Sequence, residues 1–212
     1  MPIRAAFFDF GGVILSSPFE AFNAFEERHG LPRDFIRTVN ATNPDTNAWA
    51  RFERSEVSFD EFCELFEAEC RAAGHEVSAR ALMPLLAGEI RPAMVTAVRR
   101  CREEGLVVAC LTNNWVGFSP RDREGRPPAG DDPLELFHHV VESSKVGVRK
   151  PDPRFYELAC KTAGVEPHEV VFLDDLGVNL KPARAMGMTT IKVVDPDVAL
   201  AELEAVVGFP LR

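Results

Sequence analysis

Apolar and polar positions along the chain change rhythm twice. Ala5-Ala6-Phe7-Phe8 opens a nearly continuous apolar run, the pattern of a parallel strand covered on both faces, and predicts a first strand over Arg4 to Phe10. From Pro18 to Leu86 the spacing is helical. Phe19, Phe22 and Phe25 recur at three-residue steps before a His29-Gly30-Leu31-Pro32 stop. Ser58 reads as a helix N-cap, with Glu61 completing a capping box. Phe62, Leu65, Phe66 and Glu69 then continue one face to Gly74.

The second change comes at Arg91. A helix is predicted from Pro92 to Glu104 and a buried strand from Leu106 to Leu111. A short strand follows at Val140-Val141, then a helix from Pro153 to Thr162 and a strand from Val170 to Leu173. A helix from Leu180 to Met186, a strand from Thr189 to Val194 and a helix from Ala199 to Val206 complete the pattern. Gly117 to Pro133, rich in proline and charge, reads as a polar loop. Strands alternating with helices indicate βαβ units around a parallel sheet, so the fold class is α/β. The helical block, 17–87, is then an insertion at the carboxyl edge of a core built from 1–16 and 88–212, where a cap over a site would lie.

Composition narrows the function. Hydrophobic residues make up 46% of the 212 positions and charged residues 27%, enough for a substantial core in one ordinary domain with an inserted unit. The formal charge of −9 with no block of Lys and Arg argues against nucleic-acid binding. No apolar stretch approaches the roughly 18 residues of a membrane span, and the first strand begins without a secretory signal before it. The five cysteines are scattered and free of CxxC spacing, as expected of reduced, buried thiols in a cytoplasmic protein.

The candidate chemistry sits at the predicted strand ends. The first strand ends at Asp9, followed by Gly11 and Gly12; the second at Thr112-Asn113-Asn114; the fourth at Asp174-Asp175. The third leads through Glu142-Ser143 and Lys145 to Arg149-Lys150-Pro151. In an open parallel sheet these ends converge on one crevice. Clustered carboxylates repel one another unless a cation joins them, and hard oxygen ligands suit Mg²⁺. An aspartate beside that ion can attack phosphorus, while a hydroxyl, main-chain N–H groups and Lys150 neutralise phosphate charge. Each residue also has a plainer use: Asp9 as a helix cap, Asp174-Asp175 and Thr112-Asn113-Asn114 as turns, Lys150 as a solvated lysine. Asn179 and Lys181 read as capping and surface groups. The phenylalanines of the insertion read mainly as its own core, a minority of them lining an approach to the site.

The set Phe7-Phe8-Asp9-Phe10-Gly11-Gly12-Val13, Leu111-Thr112-Asn113-Asn114, Gly147-Val148-Arg149-Lys150-Pro151-Asp152-Pro153 and Phe172-Leu173-Asp174-Asp175-Leu176-Gly177-Val178-Asn179 resembles the four motifs of the haloacid dehalogenase-like (HAD) hydrolases. The stretch from Phe172 to Ile191 is similar to that of the phosphatase domain at the amino end of soluble epoxide hydrolases. The resemblance implies a Rossmann-like parallel sheet with a helical cap, and a Mg²⁺-dependent phosphatase working through an aspartyl-phosphate. Asp9 would be nucleophile and metal ligand, and Lys150 the family lysine. Thr112, Asn113 and Lys150 would hold phosphate. The Gly11 carbonyl and Asp175 would complete the metal site, with Asp174 supporting the lysine. The expected partner is a small phosphorylated metabolite or a lipid-like phosphate, for a chain that is a monomer or homodimer. One position departs from the pattern. Most phosphatases of the family carry a second Asp, the general acid–base, where this chain has Gly11. Two alternatives therefore stand beside the phosphatase: a metal-independent 2-haloacid dehalogenase, whose family members also lack that Asp, and a binding or regulatory protein with a weakened site.

Overall fold

The computed structural model describes residues 2–115 and 132–212, so most of the predicted polar loop at Gly117 to Pro133 lies outside the described residues. Five parallel strands form one sheet: β1 (Ala5–Phe8), β2 (Val107–Thr112), β3 (His139–Glu142), β4 (Val170–Asp174) and β5 (Thr189–Lys192), in the order β3-β2-β1-β4-β5. The predicted strands are found with shifted ends. The first stops at Phe8 rather than Phe10, because the chain turns out of the sheet at Gly11 and Gly12.

The helices are α1 (Pro18–Arg28), α2 (Phe35–Ala41), α3 (Ala48–Glu53), α4 (Phe59–Ala72), α5 (Ala79–Leu82), α6 (Pro92–Glu103), α7 (Ser143–Val146), α8 (Pro153–Ala163), α9 (Gly177–Ala185) and α10 (Pro196–Val207). The capping box at Ser58 and Glu61 is present at the start of α4. Helices α9 and α10 begin three residues earlier than their apolar periodicity predicts. In α10 the first turn is set by Pro196 and by the Asp195 carboxylate, which accepts from Asp197 N–H and Val198 N–H. Apolar spacing carries no information about such a turn.

Side chains alternate across each strand and build two apolar layers. Phe8, Cys110 and Leu173 face a layer completed by Met94 and Val98 of α6 and by Leu200 and Leu203 of α10. Phe7, Leu111 and Phe172 face the opposite layer, completed by Phe155 and Tyr156 of α8 and by Leu180 of α9. Covering on both faces explains why these strands read as unbroken apolar runs.

The helices between Pro18 and Ala87 have a separate core. Phe22, Phe25, Phe35, Phe52, Phe62 and Phe66 are buried there with Trp49. Trp115, just past β2, joins the same cluster and stacks on Phe52 at 5.2 Å between centroids. The two segments that enter and leave these helices are paired: Leu15 bridges Ile90, Ser16 N–H donates to Glu89 O at 2.8 Å, and Arg91 N–H donates to Ile14 O at 2.8 Å. No helix among the described residues is long and apolar enough to cross a membrane.

Candidate active site

Sheet register brings the strand-end residues together. Phe8 lies beside Leu173 in the β1–β4 pair, so the next residues, Asp9 and Asp174, leave the sheet side by side. Asp9 N–H extends the ladder by one bond, to Leu173 O at 2.9 Å. Its carboxylate has two engagements. Oδ1 accepts from Phe10 N–H at 2.7 Å, the local capping role that an aspartate before a turn can take. Oδ2 lies 2.9 Å from Lys150 Nζ.

Lys150 is 1% exposed, which for a lysine demands partners. They are Asp9 and Asp174, whose Oδ2 accepts from Lys150 Nζ at 2.7 Å. Asp174 is fully buried and its other oxygen is also held: Leu176 N–H donates to Oδ1 at 2.8 Å, and Asn179 Nδ2 donates at 3.0 Å. Asn179 is thus buried and aimed at Asp174, not the capping group that its place near a helix start predicts. Tyr156 of α8 fixes that turn by donating its hydroxyl to Asn179 O at 2.7 Å.

Asp175 faces the same space. Ser17, in the segment leading into α1, donates to its Oδ2 at 3.3 Å. Gly12 passes directly beneath it, at φ 77°, where a Cβ would lie 2.3 Å from Asp175 Cγ. Gly11 is different: its φ of −69° and ψ of 133° suit any residue, and a Cβ there would meet nothing within 4 Å. Arg91 Nη1 donates to Gly12 O at 2.7 Å, which ties this turn to the start of α6.

Asn113 makes a reciprocal amide pair with the main chain of Lys150. Its Nδ2 donates to Lys150 O at 3.0 Å and its Oδ1 accepts from Lys150 N–H at 2.9 Å. Thr112 is buried at the end of β2 and borders the same cavity. That cavity, about 670 Å³, has the strand-end residues as its floor and Phe19, Phe22, Trp49 and Leu86 of the inserted helices on its other side. Glu53, at the end of α3, reaches across to the floor. Its Oε2 lies 2.6 Å from Arg149 Nε and 3.4 Å from Asn113 Nδ2.

The charges do not balance. Asp9, Asp174 and Asp175 place carboxylate oxygens within 4.8 Å of one another, against the single ammonium of Lys150. Burial holds the Asp9 carboxyl well above its ordinary range, with Asp174 and Asp175 adding to the shift and Lys150 opposing it. Asp175 is pushed up to about 6, by burial first and then by Asp174. Burial alone would weaken proton binding at Lys150; Asp174 and Asp9 outweigh it and raise the lysine above its usual value. Oxygen donors in this number, short of positive charge, fit a hard divalent cation. Asp9, Lys150, Thr112, Asn113, Gly11, Asp174 and Asp175 thus share one locus. The sequence assigns no site role to Asn179, Gly12, Ser17 or Glu53. Asn179 was legible in part, as a polar residue one turn past the acidic pair; the others carry no local signal.

Comparison with known proteins leads to the same fold. The chain is 37% identical to acyl-CoA dehydrogenase family member 10 of Mus musculus, over 99% of this chain and 20% of that protein. It is 35% identical to bifunctional epoxide hydrolase 2 of Sus scrofa, over 100% of this chain and 40% of that protein. The chain therefore spans less than half the length of these two relatives. The sesquiterpene phosphatase astK of Aspergillus oryzae is 27% identical, over 97% of both chains. Among solved structures, a HAD family enzyme of Bacteroides thetaiotaomicron in complex with magnesium and inorganic phosphate superposes with a TM-score of 0.61. It is 20% identical, over 90% of this chain and 93% of that one. A family model for haloacid dehalogenase-like hydrolases matches residues 3–187, a span that takes in β1 through α9 and the whole strand-end cluster, and the chain belongs to that family of enzymes.

Proposed function

We propose that this hydrolase is a phosphomonoesterase whose nucleophile is Asp9. The observation that carries the reading is the buried Lys150 ammonium bridging Asp9 and Asp174 beside the three-carboxylate cluster. An amine in that place neutralises the nucleophile's neighbour and faces the oxygens of an incoming phosphate. In this reading an Asp9 carboxylate oxygen attacks phosphorus, the alcohol leaves, and water then cleaves the aspartyl-phosphate. The Thr112 hydroxyl, nearby main-chain N–H groups and Lys150 hold the non-bridging oxygens. Asn113 sets the height of Lys150 through its amide pair, and Asp174, locked by Asn179, keeps the ammonium pointed at Asp9. Asp9, the Gly11 carbonyl and Asp175 would hold Mg²⁺, which when bound offsets the negative charge shared by phosphate and carboxylates.

Residues 17–87 act in this proposal as a cap that selects the alcohol. Phe19, Phe22, Trp49 and Leu86 give the cavity an apolar side far larger than a phosphate needs, which favours an apolar alcohol over a small polar metabolite. The likeness to a sesquiterpene phosphatase supports the same substrate class.

Gly11 favours a second reading, the 2-haloacid dehalogenase. The charge imbalance weighs against it, because a metal-free site would leave three clustered carboxylates, two buried and one half-buried, sharing one ammonium. The deciding assay is turnover of 4-nitrophenyl phosphate and of an isoprenyl monophosphate with Mg²⁺ present and after chelation. Activity is expected with the ion only, and Asp9→Asn is expected to abolish it. Chelation without effect, or chloride release from a 2-haloacid, would overturn the proposal.

A further inference from the structure

A phosphatase of this design has to deliver a proton to the departing alkoxide and later take one from water. Gly11 has no side chain to do either. Among the described residues that line the cavity there is no His, Cys or Tyr, and the carboxyl groups belong to Asp9, Asp45, Glu53 and Asp175. Asp9 is the proposed nucleophile and Asp175 sits in the acidic cluster, while Asp45 is exposed on the connection between α2 and α3. Glu53 is the one left. Its side chain is 15% exposed and reaches the floor beside Asn113 and Arg149, the residues flanking the proposed phosphate ligands Thr112 and Lys150. Its backbone is anchored as well, since Ser143 Oγ donates to Glu53 O at 2.7 Å.

Resting on the phosphatase reading, we propose that Glu53 is the proton donor and acceptor that position 11 does not supply. Burial raises the affinity of this carboxyl for a proton above the ordinary glutamate value; Arg149, Lys150 and Arg54, the charged groups facing it, oppose that shift without cancelling it. In the first step an Asp9 oxygen bonds to phosphorus, the ester P–O bond breaks, and the alkoxide takes the Glu53 proton and leaves as alcohol. In the second step the Glu53 carboxylate takes a proton from water as the water oxygen bonds to phosphorus. The bond from Asp9 to phosphorus breaks, which releases inorganic phosphate and restores both carboxyl groups. The inserted helices thereby contribute a group to the chemistry itself.

The test is rapid mixing of Glu53→Gln with 4-nitrophenyl phosphate and Mg²⁺. Nitrophenolate leaves without a proton, so the variant is expected to release close to one equivalent per protein in a burst and then turn over at least a hundredfold more slowly than wild type. Glu53→Asp, which keeps the carboxyl, is expected to recover part of the steady rate. Glu53→Gln with wild-type turnover would overturn the assignment. So would a variant with no burst and a raised KM at unchanged kcat, the signature of a pure latch to Arg149. Wild-type protein that hydrolyses no phosphomonoester would instead overturn the phosphatase reading, and the assignment falls with it.

Discussion

Replacing Gly12 by alanine should damage this protein while the same change at Gly11 should not. Gly12 sits at φ 77°, a left-handed conformation that costs a residue with a Cβ about 1–2 kcal/mol. Its new methyl would lie 2.3 Å from Cγ and Oδ2 of Asp175, far inside van der Waals contact, and overpacking of this kind costs about 1–3 kcal/mol. The two effects together predict a loss of about 2–5 kcal/mol. The overlap can be relieved only by moving Asp175 away, out of the carboxylate cluster and off Ser17. Activity and Mg²⁺ affinity should therefore fall together with stability. Gly11→Ala meets no atom within 4 Å and keeps an extended backbone, so its effect should stay within about 1 kcal/mol, with a stabilising sign from the stiffer unfolded chain. Urea unfolding of both variants, with Mg²⁺ titrations of 4-nitrophenyl phosphate turnover, reads all three quantities. Equal unfolding midpoints for the two variants, or a Gly12→Ala protein with wild-type Mg²⁺ dependence, would refute the reasoning.

Three further outcomes are expected. Gly11→Asp places a carboxyl in open space at the cavity floor, so in the Glu53→Gln background it should restore at least about tenfold of the lost 4-nitrophenyl phosphate turnover; no recovery would show that a side chain here does not reach the attacking water. Lys150→Met leaves Asp9 and Asp174 buried without their cation, and loss of one partner of a buried pair predicts about 3–5 kcal/mol of destabilisation in urea; an unchanged midpoint would contradict the bridging role. Trp115→Ala removes a buried ring that stacks on Phe52 and meets Trp49 at 5.9 Å, and should cost about 3–5 kcal/mol; a loss under about 1 kcal/mol would show that the ring is not part of that core.

The three central strands, β1, β2 and β4, were legible because they are covered on both faces, and an apolar run is the signature of that environment. The edge strands β3 and β5, with His139, Glu142, Thr189 and Lys192 among their residues, carry a weaker signal. Helix α4 was legible because its capping box is local, with Ser58 and Glu61 three residues apart. The polar residues at four strand ends could be read as one crevice because an open parallel sheet gathers the carboxyl ends of its strands on one edge. Helices α2 and α3 were not separable by sequence. They are short, and distant carboxylates help to hold their starts: Glu26 accepts from Ile36 N–H at 2.8 Å, and Glu69 from Ala48 N–H at 2.8 Å, beside the local Asn47 cap of α3.

By itself, the amino-acid order determined which residues could carry chemistry and on which edge of the sheet they would emerge. It determined this through short-range physics: alternation across strands, caps, and glycines at turns. Tertiary structure decided which of those residues meet. Gly11 and Gly12 are identical neighbours in the chain, yet one faces open space and the other lies against Asp175, 163 positions later. Asn179 became the clamp of Asp174, and Glu53 came to face Arg149 across the boundary between inserted helices and sheet. Contacts of that kind depend on sheet register and on how the insertion seats over it, which are sums over many weak packing interactions rather than properties of any local segment.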